Sequence, residues 1–139
     1  MFKRFLCLTL CFAMLVCPLC FVGCESKDNT ETVEQNIEYK DIGQGDSQFY
    51  FTCIDGDKNI SGFNVHTDKK TVGEALLELG VISGDDGPYG LYVKYVNGIR
   101  ADYDLDGKYW AFYANDEYAV SGVDTTEIVN GANYSFRME

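Results

Sequence analysis

The segment Asp102-Tyr103-Asp104-Leu105-Asp106-Gly107 sets three carboxylates at alternate positions ahead of a glycine. Loops of this kind hold hard, oxygen-preferring cations such as Ca²⁺, because the glycine permits the turn that brings the side chains onto one centre. The rest of the calcium-loop template is missing. Tyr113 stands where a bidentate Glu belongs, and Lys108 fills the position that gives a carbonyl, bringing a positive charge close. Asp85, Asp86 or Asp116 would have to complete the shell, and the alternative is a solvated acidic hairpin loop. Asp102, Asp104 and Asp106 are the candidate metal ligands.

A different chemistry is expected at Cys24. It follows Phe21-Val22-Gly23 at the end of an uncharged run that begins after Lys3 and Arg4, and it opens a polar, acidic stretch. A basic start, an apolar core and a small residue before the cleavage point make a lipoprotein signal peptide of residues 1–23, with Cys24 lipidated. Cys17 and Cys20 follow Val16 and Leu19, which a peptidase needing a small residue rejects. The alternative, an uncleaved membrane helix, needs about 20 apolar residues, and the run from Phe5 to Gly23 is interrupted by Pro18. Three acyl chains on Cys24 would exceed the two that stable anchoring requires.

Catalytic constellations are sparse. His66 is the only histidine, so Ser61, Ser121 and Ser135 have no other imidazole to activate them, and no Gly-x-Ser-x-Gly elbow occurs. Gly84-Asp85-Asp86-Gly87 lacks the lysine of a phosphate loop and repels phosphate. Of six cysteines, Cys7, Cys11, Cys17 and Cys20 leave with the signal and Cys24 is acylated, so only Cys53 remains, within the apolar run Phe49 to Ile54. It reads as a small buried hydrophobe. The expectation is a protein that is not an enzyme.

Aromatic residues are the stronger signal. Tyr109-Trp110-Ala111-Phe112-Tyr113-Ala114 is apolar or aromatic on both faces of a strand, whereas a sheet with one wet face alternates apolar and polar residues. If Trp110 and Phe112 face inward, Tyr109 and Tyr113 face outward, with Tyr92 and Tyr50 as neighbours. An exposed aromatic patch of this kind suits ligand binding, unless loops 83–90 and 98–107 fold back over it. Tyr109, Trp110, Tyr113 and Tyr92 are the candidate ligand-binding residues.

Charge restricts the partners. Removing residues 1–23 deletes two positive charges and takes the net charge from −11 to −13. Nucleic acid is excluded as a partner, since a phosphate backbone is bound through clustered Lys and Arg, and the same acidity opposes lying on an anionic bilayer. Membrane contact is expected through the lipid anchor only, with the protein extracytoplasmic.

The elements that must position these residues follow from periodicity. Residues 24–46, with seven acidic side chains after Cys24, read as a lipidated cysteine and a flexible tether reaching roughly 25 Å. Residues 47–139 form one domain. Phe49, Phe51 and Cys53 alternate with polar neighbours, Asp55-Gly56-Asp57-Lys58 turns the chain, and Phe63, Val65 and Thr67 return it as a hairpin. Thr71-Val72-Gly73-Glu74 has capping-box spacing, and a short helix runs from it to a stop at Gly80. Strands are predicted over 91–96, 109–114 and 118–120, and a last one carries Tyr134, Phe136 and Met138. This order predicts an α+β, β-grasp-like mixed sheet with one helix packed on one face.

Thr71-Val72-Gly73-Glu74-Ala75-Leu76, Tyr95-Val96-Asn97-Gly98, Tyr109-Trp110-Ala111-Phe112-Tyr113, Gly122-Val123-Asp124 and Tyr134-Ser135-Phe136, in this order and spacing, resemble the transcobalamin-like C-terminal domain family over about residues 47–139. The family occurs in bacterial lipoproteins and surface proteins. It is also the smaller domain of animal cobalamin carriers, where it closes over a corrinoid held against a helical barrel. The resemblance implies a β-grasp-like fold and a binding role, with cobalamin or another corrinoid as ligand and an uptake system as destination. No such barrel lies in these 139 residues, so the resemblance implies weaker capture, pairing with a surface or transport protein, or another ligand. A calcium-ordered protein-interaction or adhesion domain is the alternative. Fold does not decide between them.

Overall fold

A computed structural model describes residues 36–139. The signal segment 1–23, Cys24 and the tether as far as residue 35 lie outside the described residues. Alternation sets the central hairpin. Strand β2 (Ser47–Ile54) buries Phe49, Phe51 and Cys53 on one face, and strand β3 (Ile60–Thr67) returns antiparallel with Phe63 opposite Phe51. The turn between them closes on Asp55, whose carboxylate accepts the Asp57 and Asn59 backbone N–H groups, each at 2.9 Å. Those bonds, led by the Asn59 side chain, hold the Asp55 carboxyl below its ordinary pKa.

Helix α1 (Val72–Glu78) begins as its sequence predicts. Thr71 Oγ1 accepts the Glu74 N–H at 3.2 Å, and the Glu74 carboxylate accepts the Thr71 N–H at 3.3 Å. Val72, Ala75 and Leu76 are buried, and Gly80, at φ 68°, ends the helix in the left-handed conformation that glycine adopts without strain. Thr71→Ala should lower the unfolding free energy by about 1 kcal/mol, because the Glu74 N–H loses its side-chain acceptor; chemical denaturation reads this directly.

Beyond the helix come β4 (Ile82–Gly87), β5 (Gly90–Val96), β6 (Ile99–Arg100), the single-turn helix α2 (Tyr103–Asp106), β7 (Trp110–Ala114), β8 (Glu117–Tyr118) and β9 (Asn133–Met138). With strand β1 (Tyr39–Gly43), they form two sheets. One has six strands in the order β1-β3-β2-β9-β7-β8, mixed because β1 runs parallel to β3 and β2 parallel to β9; the other is the antiparallel β4-β5-β6. The described residues are therefore mainly β with a small helical part. The expected single sheet is corrected: the strand at 91–96 leaves it for a sheet of its own. The reason is local. Gly84 to Gly90, expected as a loop, is the β4–β5 hairpin, and a paired neighbour on each side satisfies β5 without the main sheet.

The tether assignment is corrected in the same way at its C-terminal end. Tyr39–Gly43 pairs along β3 from Gly62 to His66. Tyr39 packs edge-on against Tyr50 at 5.2 Å, the Asp41 carboxylate accepts the Asn64 amide and approaches His66 at 3.5 Å, and Ile42 packs on the core. Composition made this stretch look soluble, but one aromatic, one Ile and an open strand edge are enough to recruit it.

One core lies between the six-stranded sheet and a layer made of α1 and the small sheet. Phe49, Phe51, Phe112, Tyr134 and Phe136 from the large sheet meet Leu76, Ile82, Val93 and Val96 from the other layer. Cys53 is 1% exposed, and its Sγ lies 4.0 Å from the Val96 carbonyl oxygen. Burial, with a smaller contribution from Asp55, pushes its thiol up to about 12. Cys53 should therefore resist thiol reagents until the domain unfolds. The sign of the pH effect follows: the unfolded thiol releases its proton from about pH 8.5 while the folded one keeps it. The stability contributed is complete below about pH 8.5 and lost as pH rises through about 12, and Cys53→Ala should flatten that part of an alkaline denaturation curve.

Candidate functional site

Strand alternation on β7 sends its aromatic residues to opposite faces. Trp110 and Phe112 point into the layer between the sheets, 6% and 8% exposed, and the Trp110 indole N–H donates to the Ile99 carbonyl at 3.2 Å. Tyr109 and Tyr113 point to the outer face. Both phenols donate to the Glu139 carboxylate, at 3.1 and 2.5 Å, and these bonds raise both phenol pKa values. The Arg137 guanidinium lies 4.1 Å from the Tyr113 ring centroid and donates to Asp116 at 2.6 Å, while its buried Nε has no partner among the described residues.

Tyr92 belongs to the other sheet. Its hydroxyl accepts the Tyr103 N–H at 3.3 Å, and the Lys94 ammonium sits 5.7 Å from its ring centroid. The four expected ligand-binding residues therefore do not share one surface. Tyr92 and Trp110 come together, whereas Tyr109 and Tyr113 lie across the sheet, because residues adjacent on a strand face opposite ways.

Tyr92 and Trp110 meet in a cleft of about 250 Å³ between the two sheets. Trp110, Phe112 and Phe136 form its apolar floor, Leu91, Tyr92 and Val93 one wall, and Tyr118, Ala119 and Ser121 to Val123 the other, with the Tyr118 ring itself turned outward onto Tyr113 at 5.3 Å. The second wall is held by backbone and one carboxylate. The Val123 carbonyl accepts the Gly73 N–H at 2.8 Å, the Thr126 carbonyl accepts the Val72 N–H at 2.9 Å, and Asp124 accepts the Leu91 N–H at 3.3 Å. The first turn of α1 thus fixes the loop, and the loop fixes the cleft against β5. No charged side chain lines it. Two larger hollows, of about 540 and 590 Å³, lie at the β2–β3 turn beside Arg100, Asp106 and Lys108, and beside residues 36–38. Both are lined by charged residues, whereas the aromatic cleft has none, so the cleft is the site suited to apolar or aromatic surface.

Tyr118, Phe136, Ser121 and Val123 belong to this cleft and were not among the expected site residues. The Gly122-Val123-Asp124 segment was visible as a motif, but its contact with β5 spans more than thirty positions, and local spacing carries no trace of that.

The acidic segment is not a loop but the start and body of α2. Asp102 is the helix N-cap: one carboxylate oxygen accepts the Asp104 N–H at 3.2 Å, and the other meets Lys94 at 3.2 Å. Lys94 also pairs with Asp85 at 2.8 Å, and the two carboxylates raise its pKa. Asp106 accepts from Arg100 at 2.9 Å and from the Asp102 N–H at 3.2 Å, and the Arg100 guanidinium holds its carboxyl below its ordinary value. Asp104 is exposed. A helical turn fans alternate residues apart, so Asp102, Asp104 and Asp106 do not converge on one centre. Among the described residues no group of three such side chains could hold a metal ion.

Comparisons with known proteins agree with this architecture. A crystal structure of a candidate metal-binding protein from Ruminococcus gnavus ATCC 29149 is similar over 68% of this chain and 97% of its own length, at 26% identity and a TM-score of 0.64. Haptocorrin, crystallised in complex with Cbi, is similar over 70% of this chain at 16% identity and a TM-score of 0.50, a likeness of fold alone. This chain spans 26% of haptocorrin's length. No curated protein matches the sequence significantly. The fold and its neighbours fit a binding module. Residues 69–139, from the helix cap through β9, match a family model, and the chain belongs to the family described as a domain of unknown function, DUF4430.

Proposed function

We propose that this chain is a lipid-anchored, extracytoplasmic, non-enzymatic binding module that captures a small molecule in the cleft between its two sheets for delivery to an uptake system, with a corrinoid as the ligand. The observation that carries the reading is the convergence of Tyr92, Trp110, Phe112 and Phe136 on one cleft that no charged side chain lines. Such a lining binds apolar or aromatic surface well and offers no acid, base or nucleophile stronger than a hydroxyl. His66 faces Asp41 at the β1–β3 edge and does not line the cleft.

The cleft's 250 Å³ is below the roughly 300–1,000 Å³ of pockets that enclose drug-sized ligands. A corrinoid would insert one part and leave the rest for a second surface, which suits delivery to a transport protein. Attachment to the membrane rests on Cys24 alone. The test is to mix the full chain with cobalamin or cobinamide, desalt it and read the visible absorbance that stays with the protein. Retained colour is expected; colourless protein with both corrinoids removes the corrinoid reading.

The second reading, a calcium-ordered interaction or adhesion domain, draws on the metal binding proposed for the Ruminococcus gnavus neighbour. A cation at the acidic turn would have to displace Lys94 from Asp102 and Arg100 from Asp106. That reading requires a calcium-dependent rise in Tm that Asp104→Asn abolishes, and a Tm indifferent to chelator ends it.

A further inference from the structure

We propose that the cleft is a receptor for one neutral aromatic group of one or two fused rings, and that this group is the part of the ligand the domain recognises; the inference rests on the binding reading above. Three observations set the class of occupant. The first is size. An apolar cavity of about 150 Å³ takes a single benzene ring, so about 250 Å³ takes a ring with a substituent or a fused pair and is too small for a macrocycle.

The second is charge. A chain of net charge −11 leaves this cleft free of charged side chains. A charged ring would lose its hydration there with no opposite charge to compensate, whereas a neutral one loses little. Asp124, behind the wall, does not line the cleft, and its carboxylate points at the Leu91 N–H.

The third is the placement of polar atoms. The floor has no free donor, because the Trp110 indole N–H is taken by the Ile99 carbonyl. The mouth has one: Tyr92 accepts the Tyr103 N–H and keeps its own hydroxyl proton to donate. Tyr118 borders the cleft but turns its ring to the outer face, 5.3 Å from the Tyr113 ring opposite it on β7. A ring that stacks on the floor and carries an acceptor at its outer edge, such as a nitrogen heterocycle, satisfies both regions.

The chain has one tryptophan, so its indole N–H gives a single, unambiguous proton–nitrogen resonance from the cleft floor. Benzimidazole at millimolar concentration should shift that resonance saturably in the full chain, while benzoate and benzamidine, its anionic and cationic counterparts, should not. Tyr92→Phe, which removes the hydroxyl donor at the mouth, should weaken the benzimidazole response severalfold, and Ala119→Leu, which fills the cleft, should abolish it. Cobalamin carries a benzimidazole base that cobinamide lacks, so cobalamin should bind at least about tenfold tighter.

The outcomes separate the two readings. A benzimidazole shift with no binding of either corrinoid supports this inference and removes the corrinoid. Equal binding of both corrinoids with no benzimidazole shift overturns the inference and leaves the proposed function standing. Equal shifts from charged and neutral rings also overturn it.

Discussion

Trp110→Ala should lower the unfolding free energy by about 3–5 kcal/mol, the range found when a buried large aromatic residue is truncated in a core. Trp110 is 6% exposed, belongs to the core cluster and spans from the six-stranded sheet to the Ile99 carbonyl of β6. Alanine removes the aromatic area, leaves a void that surrounding strands cannot close, and orphans the Ile99 acceptor. Such a loss is a large share of a small domain's total stability, of order 5–15 kcal/mol. Trp110→Phe keeps most of the area and loses only the indole N–H, so its cost should be well under half as large. Urea denaturation of both variants separates the packing and hydrogen-bond contributions. Loss of ligand in Trp110→Ala alone would therefore say little about recognition, and binding tests belong on Tyr92 and Ala119, at the rim.

Gly84→Ala should have the second large effect, about 3 kcal/mol, at the upper end of what overpacking costs. A Cβ at this position would stand 1.9 Å from the Tyr92 carbonyl oxygen and 2.9 Å from the Val93 Cα. Both are backbone atoms of the paired strand, so no rotamer change relieves the contact. The register between β4 and β5 shifts between Ser83 and Gly84, and this irregularity brings the two backbones so close. Relief requires β5 to move away from β4, and β5 carries Tyr92 and Val93 of the cleft wall. Gly84→Ala should thus reduce stability and displace the Trp110 indole resonance before any ligand is added. Gly107→Ala serves as a contrast. Nothing lies within 4 Å of its Cβ, so its cost is confined to the strain of a left-handed φ of 65° at the end of α2. A Gly84→Ala protein with wild-type denaturation midpoint would contradict the packing described here.

Gly84 also shows where sequence and structure part. A segment reading Gly84-Asp85-Asp86-Gly87 looks like a loop because glycine and aspartate are depleted in strands, yet it pairs along β5. Lys94 makes this tolerable by neutralising Asp85 on the hairpin's surface. What the sequence did convey was whatever is local. The alternation of Phe49, Phe51 and Cys53, the Asp55 turn, the capping box at Thr71 and the stop at Gly80 are each contained in a few consecutive residues. The inward direction of Trp110 and Phe112 was legible for the same reason.

The candidate site was half legible. The aromatic run of β7 announced a surface worth attention, but its partner is not the outer tyrosines. Tyr92 reaches Trp110 only because β5 leaves the main sheet, and Tyr118 to Val123 reach β5 only through Asp124 and the first turn of α1. Neither relation has a signature in spacing. The acidic triplet misled in the opposite sense. Alternate carboxylates before a glycine fit a cation loop on paper, but Asp102 caps a helical turn and Lys94 and Arg100 supply the positive charge from other strands.

The central claim is that ligand is held in the cleft between the sheets and not on the outer tyrosine face. The direct measurement compares corrinoid retained after desalting by the full chain and two variants, Ala119→Leu in the cleft and Tyr109→Ala on the outer face. The account predicts that the unaltered chain and Tyr109→Ala keep their colour equally and that Ala119→Leu loses it. Colour kept by Ala119→Leu and lost by Tyr109→Ala would contradict the account and move the site to the other face of β7.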